Sequence, residues 1–200
     1  MAANNEIGVL QPLTEIGAIC RERNILFHSD CAQAIGKIPL DVKGMNIDLM
    51  SLTAHKLYGC KGIGALYVRR RNPRVNLASQ LHGGGHERGI RSGTLYTPQI
   101  VGFGKAVEIA LQNQTTENEF LTQLRQRLWE QISQLKGIHL NGHPTLRLAG
   151  NLNVSVEGVD GSELLLGLQS VMAVSSGSAC SSISTSASHV LTALGHPEKL

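Results

Sequence analysis

The sequence contains few aromatic residues, little net charge and no long apolar run. Only 4% of its 200 residues are aromatic, and its formal net charge is +3. Nucleic-acid bases stack on aromatic side chains and phosphates require concentrated positive charge, so we expect no direct nucleic-acid binding. No stretch is long and apolar enough to cross a bilayer, so we expect no membrane partner. With 42% hydrophobic and 16% charged residues, the composition is that of a globular protein.

The cysteines show no pairing pattern. Without a CxxC pair or zinc-ribbon spacing, we interpret them as free thiols in a reducing compartment, either the cytoplasm or an organelle matrix. His82 and His86 flank three glycines but have no third ligand nearby, which favours a loop over a metal site. The opening residues, MAANNEIG, lack the features of a signal peptide. The four cysteines are Cys20, Cys31, Cys60 and Cys180.

Alternating apolar strands and amphipathic helices predict an α/β fold. The predicted strands are 24–30, 47–56, 62–70 and 151–159, and the predicted helices are 12–23, 97–114 and 115–137. The composition becomes more polar near residue 115, which predicts two domains, 1–114 and 115–200.

Helical spacing also predicts which residues of these helices are buried and how the helices end. In the helix at 97–114 we expect five residues to face inward, namely Ile100, Phe103, Val107, Ala110 and Leu111. We expect Gly137 to end the long helix and Ser162 to cap the start of the next helical segment.

Two polar residues stand where buried strands end. Asp30 closes the apolar run NILFHSD, and Lys56 closes IDLMSLTAHK. In α/β sheets, ligands gather at the carboxyl ends of strands. A lysine that loses solvation there can react with an aldehyde such as pyridoxal phosphate, and Asp30 can pair with the pyridine nitrogen. The alternatives are a solvated loop at Lys56 and a helix cap at Asp30.

Neighbouring polar residues suit the same cofactor. Thr53 and His55 can donate hydrogen bonds to its phosphate, and Gln33 could face the phenolic oxygen of its ring.

Four motifs then point to one family. They are FHSDCAQAIGK, SLTAHKLYGCKGIG, HGGGHERGIRSGT and VSSGSACSS, and they occur in this order. With them the chain resembles cysteine desulfurases of the NifS/IscS type, within the class V aminotransferase family. The resemblance implies the fold type I architecture of pyridoxal-phosphate-dependent transferases. Residues 1–114 would be the C-terminal part of the large cofactor-binding domain, and 115–200 a small α+β domain with a mobile catalytic-cysteine loop.

The resemblance implies a role for each residue around the ring. Lys56 would hold pyridoxal phosphate covalently, and Asp30 would pair with the pyridine nitrogen. Gln33 and Asn5, the latter in NNEIG, would contact the ring oxygen or the substrate.

The resemblance also implies how the phosphate is bound. Thr53, where the family often has serine, and His55 would bind it within one subunit. Thr94 in RSGT would reach the phosphate of the neighbouring subunit's cofactor, which implies a homodimer.

Cys180 is the predicted nucleophile. In the family reaction a thiolate attacks the sulfur of L-cysteine, which leaves L-alanine and a persulfide on the enzyme. A mobile, small-residue loop suits a thiol that must visit the substrate and then present sulfur outside. The implied partners are sulfur-acceptor proteins such as an iron–sulfur scaffold, and tRNA thiolation and cofactor synthesis are further destinations. In the absence of the resemblance, a cysteine in this serine-rich segment would be an incidental small residue.

A basic cluster follows the third predicted strand. Its members are Arg69, Arg70, Arg71 and Arg74. They are either a solvated strand end or, by resemblance, a docking surface for acidic sulfur-transfer partners.

Three family features have no counterpart in this sequence. They are the phosphate-binding turn at a helix start, the histidine that stacks on the ring, and the arginine that binds the substrate carboxylate. We therefore expect an incomplete fold, and two alternatives to a desulfurase stay open. One is a non-catalytic fragment or complementing half, and the other is a sister class V enzyme such as a selenocysteine lyase or an aminotransferase.

Overall fold

The computed structural model describes residues 1–175 and 188–195, which form two compact units. The first unit comprises Met1–Ala2 and Gln11–Gln114, and the second comprises Ala3–Leu10 and the described residues from Thr115 onward. The helices are α1 Leu13–Glu22, α2 Thr97–Ile132, α3 Gly161–Leu168 and α4 His189–Ala193. The strands are β1 His28–Asp30, β2 Leu49–Thr53, β3 Gly64–Val68, β4 Ile138–Leu140 and β5 Val154–Val156.

The first unit contains a three-stranded sheet in the order β1-β2-β3. β1 runs parallel to β2, with Asp30 opposite Ser51, and β3 runs antiparallel to β2. Since β1 and β2 are parallel, their carboxyl ends lie at the same edge of the sheet. Asp30 lies at that edge, and Lys56 follows it in the turn after β2.

All four predicted strands are present, but each is shorter than predicted. Before β1, the chain is still leaving α1: Ile25 donates its N–H to the carbonyl of Cys20 at 2.8 Å. Asn24 is in the left-handed region, with φ of 55°. The segment 25–27 is apolar enough for a strand, but the chain before β1 still bonds back to the end of α1.

The core of the first unit lies beneath the turn that follows β2. Its buried members are Ile35, Ala54, Leu57 and Phe103. Partly buried side chains pack against them, namely Leu40, Leu52, Ile63, Ala106, Val107 and Ala110. Ala54 and Leu57 are thus anchored in the core at the two ends of one short 3-10 turn.

A buried carboxylate connects the start of β2 to its neighbours. The side chain of Asp48 is 3% exposed, and its Oδ1 lies 2.8 Å from Nε of Arg69. Its Oδ2 accepts a 3.0 Å hydrogen bond from the N–H of Phe27. Arg69 also donates to the carbonyl oxygens of Ile47 and Val42. Arg69 is therefore an internal link rather than a member of a solvated basic cluster.

Helix α2 is a single helix of 36 residues, where two were predicted. No glycine or proline lies between Lys105 and Ile132 to interrupt it. Phe103 is buried as predicted, and Val107 and Ala110 are partly buried against the same core. Ile100 and Leu111 are 39% and 58% exposed, so the inward orientation predicted for these two is wrong. The helix ends at Ile132, before Gly137.

The second unit contains a two-stranded antiparallel sheet of β4 and β5. Asp160, rather than Ser162, caps α3, because its carboxylate accepts hydrogen bonds from the N–H groups of Ser162 and Glu163. In the described part of the chain, no helix is long and apolar enough to cross a membrane.

Candidate active site

Lys56 and Asp30 lie at the carboxyl ends of two adjacent parallel strands. Asp30 is the last residue of β1, and Lys56 lies in the 3-10 turn Ala54–Leu57 directly after β2. Because the core holds Ala54 and Leu57, the two residues between them, His55 and Lys56, are exposed. In the described part of the chain, the Lys56 amine has no hydrogen bond or ion pair. Lys56 is therefore not withdrawn from solvent as the sequence predicted, and the fold presents an exposed amine beside a carboxylate-bearing strand end.

The turn after β2 also orients a hydroxyl and an imidazole. Thr53 Oγ1 lies 2.8 Å from Nδ1 of His55, within hydrogen-bond distance. This contact leaves Nε2 of His55 available to a ligand. Thr53 has extended backbone angles, so it ends the strand as His55 begins the turn.

Asp30 has one carboxylate oxygen engaged locally. Its Oδ1 accepts a 2.8 Å hydrogen bond from the N–H of Ala32, which turns the chain away from the strand. Its backbone carbonyl accepts a 2.7 Å bond from the N–H of Ala2, which fixes the end of β1. Gln33 follows within this turn, and its Oε1 accepts a hydrogen bond from Lys37 at 3.3 Å.

Two further polar residues on this side of the sheet, His28 and Ser51, were not predicted as site residues. His28 and Asp30 both face the exposed side of β1, because Ser29 between them is buried. His28 Nε2 lies 2.7 Å from Oγ of Ser51 on β2. Since successive side chains of a strand point to opposite faces, the identification of Asp30 at the strand end also places His28, two residues earlier, on the same face.

Thr94 lies in the first unit, in the glycine-rich loop that precedes α2. The loop is held by its own contacts: Gly85 donates its N–H to Ser92 Oγ, and Gly93 donates to His86 Nδ1, both at 3.3 Å. Thr94 itself is exposed. In the described residues, no three His, Cys, Asp or Glu side chains are grouped as a metal site would require.

The remaining predicted site residues are not part of the first unit. Asn5 lies in the second unit, where it is exposed on a tight turn. Cys180 lies outside the described residues.

Cys31 follows Asp30 directly but is no candidate nucleophile. It is fully buried, and its thiol is 3.7 Å from Ser29 Oγ. Burial raises the pKa of the Cys31 thiol, the side-chain hydrogen bond between Cys31 and Ser29 partly opposes this, and the negative charge of Asp30 adds to the increase. The thiolate that a nucleophile needs is therefore disfavoured at this position.

The groups at this edge fit pyridoxal phosphate chemically. A free amine, a carboxylate, a hydroxyl and an imidazole are supplied by Lys56, Asp30, Thr53 and His55. The cofactor needs an amine for its aldehyde, an acid for its ring nitrogen and donors for its phosphate. Each group has a matching residue on the first unit.

Comparisons with known proteins agree with this chemistry. The model of the family described as aminotransferase class-V matches residues 1–194. Cysteine desulfurase IscS of Aeromonas hydrophila is 54% identical over 200 residues, which are all of this chain and 49% of that protein. The mitochondrial cysteine desulfurase of Arabidopsis thaliana is 55% identical over all of this chain and 44% of its own length.

A solved structure shows the same fold. The X-ray structure of a NifS-like protein from Rickettsia africae is 30% identical and superposes with a TM-score of 0.87, over 99% of this chain and 52% of that one. The chain thus spans about half the length of the relatives that it matches. Its α/β architecture is part of the fold type I architecture of pyridoxal-phosphate-dependent enzymes. The chain belongs to the class-V aminotransferase family, and within it resembles cysteine desulfurases of the NifS/IscS type.

Proposed function

We propose that the whole protein is a pyridoxal-phosphate-dependent cysteine desulfurase. It would remove sulfur from L-cysteine, release L-alanine and hold the sulfur as a persulfide on Cys180. The observation that supports this most is the free amine of Lys56 beside the parallel strand that ends in Asp30. The relatives at 54% and 55% identity carry the desulfurase name.

The residues around the cofactor ring would have separate roles. Lys56 would bind the cofactor aldehyde and afterwards move protons to and from the substrate carbon. Asp30, as a carboxylate, would keep the ring nitrogen protonated, and Gln33 and Asn5 would orient the ring oxygen or the substrate. When bound, pyridoxal phosphate would supply the electron sink for carbon–sulfur cleavage.

The phosphate would be bound by side chains that follow β2. Thr53 and His55 would donate to it, with His55 oriented by the 2.8 Å contact to Thr53. Thr94 would reach the phosphate in the partner subunit, so the protein would act as a homodimer.

Sulfur transfer would use the thiolate of Cys180. It attacks the substrate sulfur, so a sulfur–sulfur bond forms as the carbon–sulfur bond breaks and its electron pair returns to the carbon skeleton. Protonation of that carbon gives alanine. An acceptor protein, such as an iron–sulfur scaffold, would then take the sulfur in the cytoplasm or an organelle matrix.

The first test is whether Lys56 binds the cofactor. The purified protein is mixed with pyridoxal phosphate, its visible absorption is recorded, and borohydride reduction is followed by peptide mass mapping. We expect an adduct on Lys56 that is lost in Lys56→Ala and kept in Lys61→Ala, a nearby exposed lysine. An adduct that is absent or spread over surface lysines would contradict the proposal and favour a non-catalytic fragment or complementing half.

The second test is whether Cys180 carries the sulfur. We expect L-cysteine to perturb the visible band and to leave a persulfide on Cys180, and we expect Cys180→Ala to abolish turnover. If turnover of cysteine persists in Cys180→Ala, the persulfide mechanism is wrong. A sister class V activity would then replace it.

A further inference from the structure

The turn that carries Asn5 exposes that residue and buries its neighbours. Glu6, Ile7 and Gly8 are buried, while Asn5 is exposed. Asn4 closes the turn, because its Oδ1 accepts hydrogen bonds from the N–H groups of Glu6 at 2.8 Å and Ile7 at 3.0 Å. Asn5 is therefore presented from a turn whose other backbone groups are engaged.

Side chains of the second unit hold the carbonyl groups of this turn. Two asparagines donate to the carbonyl of Glu6, Asn151 at 3.0 Å and Asn153 at 3.1 Å. Gly8 has φ of 71°, and a Cβ there would lie 2.5 Å from Cγ of Asn151. The turn and the segment that follows β4 are thus closely fitted.

Arg147 also contacts the turn. The residue is 5% exposed, and its Nη2 donates to the carbonyl of Ile7 at 2.7 Å and to that of Asn141 at 2.6 Å. Among the described residues, its Nε and Nη1 have no hydrogen-bond partner. Burial, and then the like charge of Arg125, lower the pKa of Arg147. If packing alone were needed, an apolar side chain would be less costly at this position.

We propose that Arg147 is a positioning residue for Asn5. Its planar guanidinium joins the carbonyl of Ile7 to that of Asn141 and so fixes the orientation in which the turn presents Asn5. The effect on cofactor or substrate rests on the proposed function. The effect on the turn does not depend on it.

The test compares Arg147→Met with a matched control, Arg125→Met. Arg125 also donates to backbone carbonyls of the second unit, those of Leu148 at 2.9 Å and Ala149 at 3.3 Å, but not to the turn. In Arg147→Met we expect amide hydrogen exchange at Glu6 and Ile7 to increase about tenfold or more. In Arg125→Met we expect no such increase at these two amides. Unchanged exchange in Arg147→Met would overturn the proposal.

A double-mutant cycle then tests whether Arg147 acts through Asn5. With the cofactor bound, we expect Arg147→Met to shift the pH midpoint of the visible band and the KM for L-cysteine in the same direction as Asn5→Ala. In the Asn5→Ala background, Arg147→Met should add no further shift. Additive shifts would refute the positioning role. Should Arg147→Met not fold, Arg147→Lys, which keeps the charge without the planar fork, is measured in the same way.

The two proposals fail in different ways. If no adduct forms on Lys56, the proposed function is wrong, and the exchange of the Glu6 and Ile7 amides still decides the role of Arg147. If the adduct forms and Arg147→Met leaves both exchange and spectrum unchanged, only the positioning role is wrong.

Discussion

Replacing Asp48 by asparagine tests how much the buried carboxylate stabilises the first unit. Asparagine keeps the shape but removes the charge, so the 2.8 Å contact to Arg69 loses its ionic character. Arg69 remains buried, with 11% of its side chain exposed, and keeps the carbonyl oxygens of Ile47 and Val42 as acceptors.

The cost follows from these contacts. A hydrogen bond between charged groups contributes about 1.5–3 kcal/mol, and an amide has one acceptor oxygen for the two donors Arg69 and Phe27, which costs about 1 kcal/mol more. We therefore expect the free energy of unfolding to fall by about 3 kcal/mol, within the range for breaking a buried pair. For a chain of this size that lowers Tm by about 6–12 °C.

Urea and thermal unfolding, followed by circular dichroism, measure this change. The control is Arg21→Gln, since Arg21 reaches Asp48 only at 3.4 Å and its side chain is 37% exposed. We expect that control to cost less than about 1 kcal/mol. A loss in Asp48→Asn no greater than in the control would refute the view that the buried pair stabilises the sheet.

Two further predictions concern stability. Gly17→Ala should lower the free energy of unfolding by about 1–3 kcal/mol or more, because its Cβ would lie 1.9 Å from the carbonyl oxygen of Met45. Gly104→Ala in α2, where a Cβ would meet nothing within 4 Å, should raise the free energy of unfolding by about 0.5–1 kcal/mol. Urea unfolding measures both variants, and the same change in stability for the two would contradict both predictions. Because burial raises the pKa of Cys31, the unfolded state loses this proton first as the pH rises. The free energy of unfolding should therefore decrease as the pH rises above the ordinary thiol pKa of about 8.5. Urea unfolding at a series of pH values should show a smaller decrease for Cys31→Ala than for the unmodified protein.

The position of Lys56 could be predicted because the sequence changes abruptly there. An apolar run ends in polar residues, and the buried Ala54 and Leu57 of the same motif form the turn that exposes Lys56. Asp30 was predictable for the same reason. Local patterns of this kind need no knowledge of the rest of the chain.

Asp48 and Arg69 could not be paired in this way. They lie at the ends of different strands, and their contact exists only once β2 and β3 have paired. The cap of α3 shows a smaller failure of local reasoning. Asp160 and Ser162 are both good caps, and the helix that begins at Gly161 is capped by Asp160.

The pairing of β1 with β2 limits which changes in gene length the protein can accept. Asp30 lies opposite Ser51, and successive side chains of a strand point to opposite faces of the sheet. A single codon inserted between Ser51 and Lys56 would therefore turn the polar edge inward or displace the amine from its place between Ala54 and Leu57. The number of codons between Ser51 and Lys56 is thus fixed by the pairing of the strands and by the turn that follows β2.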